Sequence, residues 1–379
     1  MKKIFIISGE ASGDKIGALL IEALRKEAGT EEIIFAGIGG EKMAEAGIKS
    51  LFDIKEISLM GFFEILPHIF KLKRLIKYTK EEIIKFEPDI LITIDSPGFC
   101  LRVATGVKNF IKGKLVHIVA PSVWAYKPER AKKFAKIYDL LLTLLPFEPE
   151  YFVKEGLDSK FVGHFAFEQE ICTDKEFFRK KYNIDKAKKL ICLTPGSRMG
   201  EIKRHLPIFG EAIHIISKKY DANFVFIAAN KDAKQIISEY LSNNNITNAI
   251  TVDEDRFEAY KASNLAIAKS GTNSLEIALH NTPQIVAYKM NFLSWRYIKA
   301  VALIKYATLV NIIANKEIIP EFLQEKCKAE ILAESVIKFL ENKELIKEQL
   351  DSTSKIISSL KSKEGKASAI SAREILKIS

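Results

Sequence analysis

The stretch Lys3-Ile-Phe-Ile-Ile-Ser-Gly-Glu-Ala-Ser-Gly-Asp14 decides the fold class. Its first half is an apolar run too short for a helix and closed by a turn, which reads as a strand buried on both faces. Its second half is a turn of small residues, after which Ile16, Leu19, Leu20 and Leu24 follow at helical spacing. Strand, tight turn and helix in that order form the repeating unit of a parallel α/β sheet. Met1-Lys2-Lys3 before an apolar run superficially resembles a signal peptide, but Ser8 ends the run after a few residues, so a first buried strand is the better reading.

The unit recurs along the chain. Strands are expected at 3–7, 33–37, 90–95, 115–120 and 140–145, and again at 190–194, 223–228, 249–252, 265–268 and 284–288, with charged segments of helical period between them. The stretch 163–189 is polar and poor in strand signal, which places a boundary between an N-terminal domain, 1–167, and a C-terminal domain, 168–379. The last helices of the second domain could pack back on the first. The expected fold is α/β, with two Rossmann-like doubly wound domains facing across a cleft. At 379 residues and 47% hydrophobic content, each domain can bury its own core. The lysine-rich tail, 342–379, reads as one or two amphipathic surface helices.

A net charge of +10 favours anionic partners. Nucleic acid is the poorer of these, because the lysines are scattered through helices and the aromatics cluster with aliphatics. Cys100, Cys172, Cys192 and Cys327 are far apart and have no zinc-type spacing, which fits a reducing, cytoplasmic setting. No stretch reaches the roughly 20 apolar residues needed to cross a bilayer.

Ligands of doubly wound sheets bind beyond the carboxyl ends of the strands, so the motifs that follow strands matter most. Ser8, Gly9, Glu10, Ser12 and Asp14 follow the first strand; small residues there admit a ligand close to the backbone, and the alternative is a plain turn capped by Ser12 or Asp14. It is neither a Walker loop nor a GxGxxG turn. Asp95 ends a strand before Ser96-Pro97-Gly98, where a carboxylate could act as general base, or simply form a turn. Gly196, Ser197 and Arg198 open the second domain in the same way, and Arg198 could hold a diphosphate. Ser270, Gly271 and Thr272 form a second phosphate-type loop, with Glu276 one turn inside the helix to accept from a ribose diol. Asp253-Glu254-Asp255 contains a D-x-D, but acidic residues at a helix start explain it more cheaply than a metal. Phe62, Phe63, Ile65 and Leu66 precede Lys71, Lys73, Arg74 and Lys77, a combination suited to an anionic membrane surface; a core helix with a basic face is the alternative. His117 and His164 are expected to be structural.

These motifs closely resemble the lipid-A-disaccharide synthase family, inverting glycosyltransferases of the GT-B type. The resemblance covers nearly the whole chain: Ser8 to Asp14, Leu59-Met60-Gly61, Ile94-Asp95-Ser96-Pro97, Ala120-Pro121-Ser122-Val123-Trp124-Ala125, Leu145-Pro146-Phe147-Glu148, Val162-Gly163-His164, Pro195-Gly196-Ser197-Arg198, Ser270 to Glu276, Leu309-Val310-Asn311 and Pro320-Glu321-Phe322-Leu323-Gln324. It implies condensation of UDP-2,3-diacylglucosamine with 2,3-diacylglucosamine 1-phosphate, lipid X, to a β-1,6-linked disaccharide and UDP. It further implies no bound metal or other cofactor, and a peripheral position on the cytoplasmic face of the bacterial inner membrane; a homodimer is compatible with it. Carried over by position, Asp95 becomes the base, and Ser8, Gly9, Glu10, Ser12, Asp14, Met60 and Gly61 fall in the acceptor half. Gly196, Ser197, Arg198, Ser270, Gly271, Thr272, Glu276, Asn311, Glu321 and Gln324 fall around the UDP-sugar. Gly98 stands where the family usually has a second aspartate, and Lys127 where it often has arginine. Two rival readings stand beside it: a UDP-sugar epimerase of the same architecture, which would turn over a water-soluble sugar without a lipid acceptor, and, from another class, a non-catalytic nucleotide-binding protein at a membrane surface.

Overall fold

The computed structural model describes residues 1–58, 69–168, 172 and 174–378, with the backbone alone at Leu293. The chain forms two compact units, Met1–Glu168 with Leu360–Ser379, and Gln169–Ser359.

The first unit holds strands β1 (Lys2–Ser8), β2 (Ile33–Ile38), β3 (Ile90–Ile94), β4 (Lys114–Ile118), β5 (Leu140–Thr143) and β6 (Asp158–Phe161). They pair in the order β2-β1-β3-β4-β5-β6, all parallel. The period of two in each strand divides the core. Ile4, Ile6, Ile90, Ile92 and Ile94 point to one face, with Leu20 and Leu24 of the helix Ala11–Glu27. Phe5, Ile7 and Leu91 point to the other, with Leu72, Leu75 and Ile83 of the helix Ile69–Phe86 and Val103 of the helix Pro97–Val107. Apolar residues on both faces are what parallel strands require.

The second unit holds β7 (Lys189–Thr194), β8 (Ala222–Ile227), β9 (Ala249–Val252), β10 (Leu265–Ala268), β11 (Gln284–Tyr288) and β12 (Glu321–Leu323). Their order is β12-β11-β10-β7-β8-β9, again all parallel. Ile191, Leu193, Leu265 and Ile267 pack on one face against the helices Met199–Ser217 and Ala329–Glu341. Leu190, Cys192, Ala266 and Ala268 pack on the other.

The expected pair of parallel α/β sheets is the observed one. β6 and β12 lie outside the expected strands, and each is the outermost strand of its sheet, short and partly exposed, so neither carries the apolar run of a central strand. The strand expected at 115–120 ends at Ile118, because Val119 takes φ 74, a conformation a β-branched residue rarely adopts. The tail also departs from expectation. The helix Lys343–Ser359 belongs to the second unit, but the helix Ala367–Lys377 buries Ala367, Ile370, Ala372 and Ile375 in the first unit's core against the helix Ala11–Glu27. It is a core helix, not a surface one.

Candidate active site

Each sheet reverses its strand order at one point: between β1 and β3 in the first unit, and between β7 and β10 in the second. At a reversal the connections leave in opposite directions and open a crevice at the carboxyl ends. Both crevices are rimmed by the motifs.

In the first unit β1 delivers Ser8-Gly9-Glu10 and β3 delivers Asp95-Ser96. The two turns touch, because a Cβ on Gly9 would overlap Ser96, and only glycine fits there. Ser8 is buried and donates to the Glu10 carbonyl at 3.1 Å, while Ser12 is exposed in the first turn of the helix. Asp95 and Ser96 take φ 54 and 44, two successive non-glycine residues in the left-handed region. Such strain persists where the surroundings over-determine it, and it concentrates at functional sites. The Asp95 amide donates to the Ile118 carbonyl at 3.0 Å, and its Oδ1 accepts the Ser96 amide at 2.7 Å. Among the described residues no cation pairs with it. Burial therefore raises the Asp95 carboxyl above the usual range, and the Ser96 amide opposes that only in part. Among the described residues, a Cβ at Gly98 would meet within 4 Å only Arg102 Nη1, at 3.7 Å, so no backbone requirement explains the missing second acid.

Asp14 is committed elsewhere. Its oxygens accept the amides of Gly40 at 2.7 Å, Lys42 at 3.0 Å and Met43 at 3.0 Å, capping the helix Glu41–Glu45 from outside; Glu10, not Ser12 or Asp14, holds the N-cap position of its own helix. Met60, Gly61, Phe62, Phe63, Ile65 and Leu66 lie outside the described residues. Lys71, Lys73 and Arg74 are exposed on the helix Ile69–Phe86, with Phe70 80% exposed beside them, while Leu72, Leu75 and Ile83 face the core; Lys71 pairs with Glu56 at 3.3 Å.

In the second unit β7 delivers Gly196-Ser197-Arg198 to the helix Met199–Ser217, and β10 delivers Ser270-Gly271 to the helix Thr272–Leu279. Gly196 and Gly271 take φ 124 and 136, so both turns need glycine. Ser197, Arg198, Gly271 and Thr272 are exposed, and Arg198 makes no ion pair among the described residues. A set of residues not expected from the sequence fixes the two turns together. Glu201 is 3% exposed and lies under Gly196, whose Cβ would stand 2.6 Å from Glu201 Oε2. Its Oε1 is 3.2 Å from Lys269 Nζ and accepts from Tyr288 Oη at 3.2 Å. Burial pushes Glu201 up, but Lys269 and Arg198 outweigh it and hold its pKa below the usual range. His205 Nε2 accepts the Lys289 amide at 2.9 Å, so its Nδ1–H donates to the Pro195 carbonyl at 2.6 Å, tying the ends of β7 and β11.

Glu276 is buried, with Oε1 3.2 Å from Arg256 Nη2 and Oε2 without a hydrogen bond among the described residues. Asn311 is fully buried and all its capacity is used: Nδ2 donates to Ile319 O at 2.7 Å and Glu321 Oε1 at 2.8 Å, and Oδ1 accepts Ile318 N at 2.8 Å and Ile319 N at 2.9 Å. Glu321 also accepts the amides of Ala307 at 2.7 Å and Thr308 at 2.8 Å, and Ser270 donates to the Ala307 carbonyl at 2.8 Å. Asn311 and Glu321 thus shape the loop that Ser270 touches. Gln324 takes φ 51 and buries its Nε2 without a partner among the described residues. Asp253 pairs with Lys234 at 2.7 Å, and Asp255, although at an N-cap position, turns its carboxylate to Lys181 and to Tyr182 Oη at 2.9 Å. The D-x-D acids lie at a helix start and are held by lysines, with no side-chain capping bond from Asp255. His117 is buried with Nδ1 2.7 Å from Thr93 Oγ1, and burial lowers its pKa to about 3; burial lowers that of His164 to about 4.

A family model described as "Lipid-A-disaccharide synthetase" matches residues 4–375. The chain belongs to the lipid-A-disaccharide synthase family. It is 48% identical over 380 residues to the lipid-A-disaccharide synthase of Rickettsia prowazekii (strain Madrid E), covering 100% of this chain and 99% of the relative. Lipid-A-disaccharide synthases are glycosyltransferases, so family membership makes the chain an enzyme of that class. Solved structures show how widely the architecture is shared. UDP-GlcNAc 2-epimerase from Neisseria meningitidis, bound to UDP-GlcNAc, matches with a TM-score of 0.67 at 14% identity, and Acinetobacter baumannii MurG with 0.59 at 12%, each covering 100% of both chains. At such identities the likeness concerns the fold alone, and membership of the synthase family, not of the epimerases, rests on sequence.

Proposed function

We propose that the chain joins UDP-2,3-diacylglucosamine to 2,3-diacylglucosamine 1-phosphate, releasing the β-1,6-linked disaccharide 1-phosphate and UDP. The 6-hydroxyl oxygen of the acceptor bonds to the anomeric carbon as the bond to the UDP oxygen breaks. The hydroxyl proton passes to Asp95, and the pair of electrons leaves with UDP. The observation that carries this reading is the placement of a desolvated Asp95, with no cation beside it among the described residues, at one strand reversal, and of Arg198 with two glycine turns at the other. A raised carboxyl pKa suits a base, and an exposed guanidinium beside two helix starts suits a departing diphosphate. Ser8, Gly9, Glu10 and Ser12 line the acceptor's crevice, and Glu276 accepts from the ribose. Asp14, Asn311 and Glu321 support these groups from behind, since their polar atoms are engaged by the protein.

The enzyme works as a peripheral protein on the inner face of the bacterial inner membrane. Among the described residues no helix is long and apolar enough to cross a membrane. Exposed Phe70, Lys73, Arg74 and Lys77 supply an apolar and basic surface on the segment that follows 62–66 in the sequence. The decisive experiment incubates the purified chain with both acylated substrates and looks for UDP and disaccharide. UDP-sugar turnover that needs no lipid acceptor would favour the epimerase. Polar replacement of Phe62, Phe63, Ile65 and Leu66 should release the protein from anionic vesicles where salt alone releases it incompletely; unchanged binding by an unfolded variant would make these residues core.

A further inference from the structure

The site as described leaves one buried acid without a task. Glu148 lies just beyond the carboxyl end of β5 and is 4% exposed. It precedes Pro149 at the start of the helix Pro149–Val153, yet it does not cap that helix. Its two oxygens are divided between two loops: Oε1 accepts from Trp124 Nε1 at 3.1 Å, and Oε2 from the Leu145 amide at 3.1 Å. Trp124 also meets the Phe147 ring edge to face, with centroids 5.4 Å apart. No cation pairs with Glu148 among the described residues. Burying an acid without a counter-charge costs stability, so packing alone gives no reason for its presence.

The loop it grips, 119–127, leaves β4 beside Asp95. The Asp95 amide is held by the Ile118 carbonyl, and the Val119 amide by Leu142 of β5, at 3.0 and 3.1 Å. Asp95, Ser96 and Val119 leave adjacent strands in left-handed conformations, which do not persist without surroundings that enforce them. The near end of the loop is therefore fixed by the sheet, and its far end by Glu148.

We propose that Glu148 is a positioning residue for the transfer reaction: by accepting from Trp124 and Leu145 at once, it holds the 119–127 loop as the wall beside Asp95. The inference rests on the reaction proposed above. Both donors can only donate, so both oxygens must accept. Burial pushes the Glu148 carboxyl up to about 7, against the pull of Trp124 and the loop amides, consistent with an acid kept in place at a cost.

Glu148→Gln keeps the shape but turns an NH2 group toward one of the two donors. Trp124→Phe removes the clamp from its other end and covers the case in which the first variant fails to fold. With 5-fluorotryptophan, the full-length protein gives two ¹⁹F signals, from Trp124 and Trp295. Glu148→Gln should move the Trp124 signal and leave the Trp295 signal in place. Each single variant should lower kcat about 10-fold to 10²-fold with donor KM changed less than about twofold, as expected for a displaced wall rather than lost binding. The double variant should be no slower than the slower single one, because both changes break the same clamp. Wild-type kcat per folded molecule, a static Trp124 signal, or losses that multiply would each overturn the proposal. An inactive wild-type protein whose Trp124 signal still responds to Glu148→Gln would instead refute the reaction and leave the clamp standing.

Discussion

The two units share an architecture and treat charge in opposite ways at their strand reversals. In the second, the turns are glycines and the buried acid is neutralised: Glu201 faces Lys269, and its pKa is held down. In the first, non-glycine residues are forced into the left-handed region, and half-buried Asp95 and buried Glu148 have no cation among the described residues, with desolvation pushing both pKa values up. One crevice presents amides and a free guanidinium, which suits an anion. The other holds a half-buried carboxyl with no cation beside it among the described residues. On the proposed reaction, a single fold serves binding in one half and proton transfer in the other, through what surrounds the strand ends.

The contrast breaks most sharply at Asp95. Asp95→Asn should lower kcat by at least 10²-fold, as for loss of a general base, while UDP binding and folding persist; near-normal turnover in a folded variant removes Asp95 from the mechanism. Next comes the acid left charged at a cost. Between about pH 4.5 and about 7, folded Glu148 keeps a proton that the unfolded chain has released. The folded state then binds more protons, and stability falls as pH rises through that window. Relative to Glu148→Gln, the wild type should lose about 2–3 kcal/mol across it, read by denaturant unfolding followed at Trp124 in a Trp295→Phe background. A constant difference would mean that Glu148 is neutralised after all.

In the second unit, Arg198→Ala should lower kcat/KM for the UDP-sugar by about tenfold or more and weaken UDP binding, with Arg198→Lys recovering only part. Unaltered UDP affinity would place the diphosphate elsewhere. The smallest effect belongs to metal removal: activity should survive EDTA, because Asp253 and Asp255 are engaged by Lys234 and Lys181. Loss on chelation, restored by Mg²⁺ or Mn²⁺, would return those acids to the site.

The sequence by itself determined the parallel strands, the glycine turns and the acid at the end of β3, because burial on both faces and left-handed turns each restrict the residue types allowed. It also carried enough motifs in order to place the chain in its family. It did not reveal β6 or β12, since an edge strand is half solvated and needs no apolar run. Nor could it tell Asp14, Asn311 and Glu321, whose polar atoms the protein consumes, from Arg198 and Asp95, which remain available. A carboxylate reads the same in sequence whether it meets three amides, a lysine or nothing. Only the tertiary structure decided this, by bringing Gly40 to Asp14, Lys269 to Glu201 and Trp124 to Glu148 across separations no local pattern encodes.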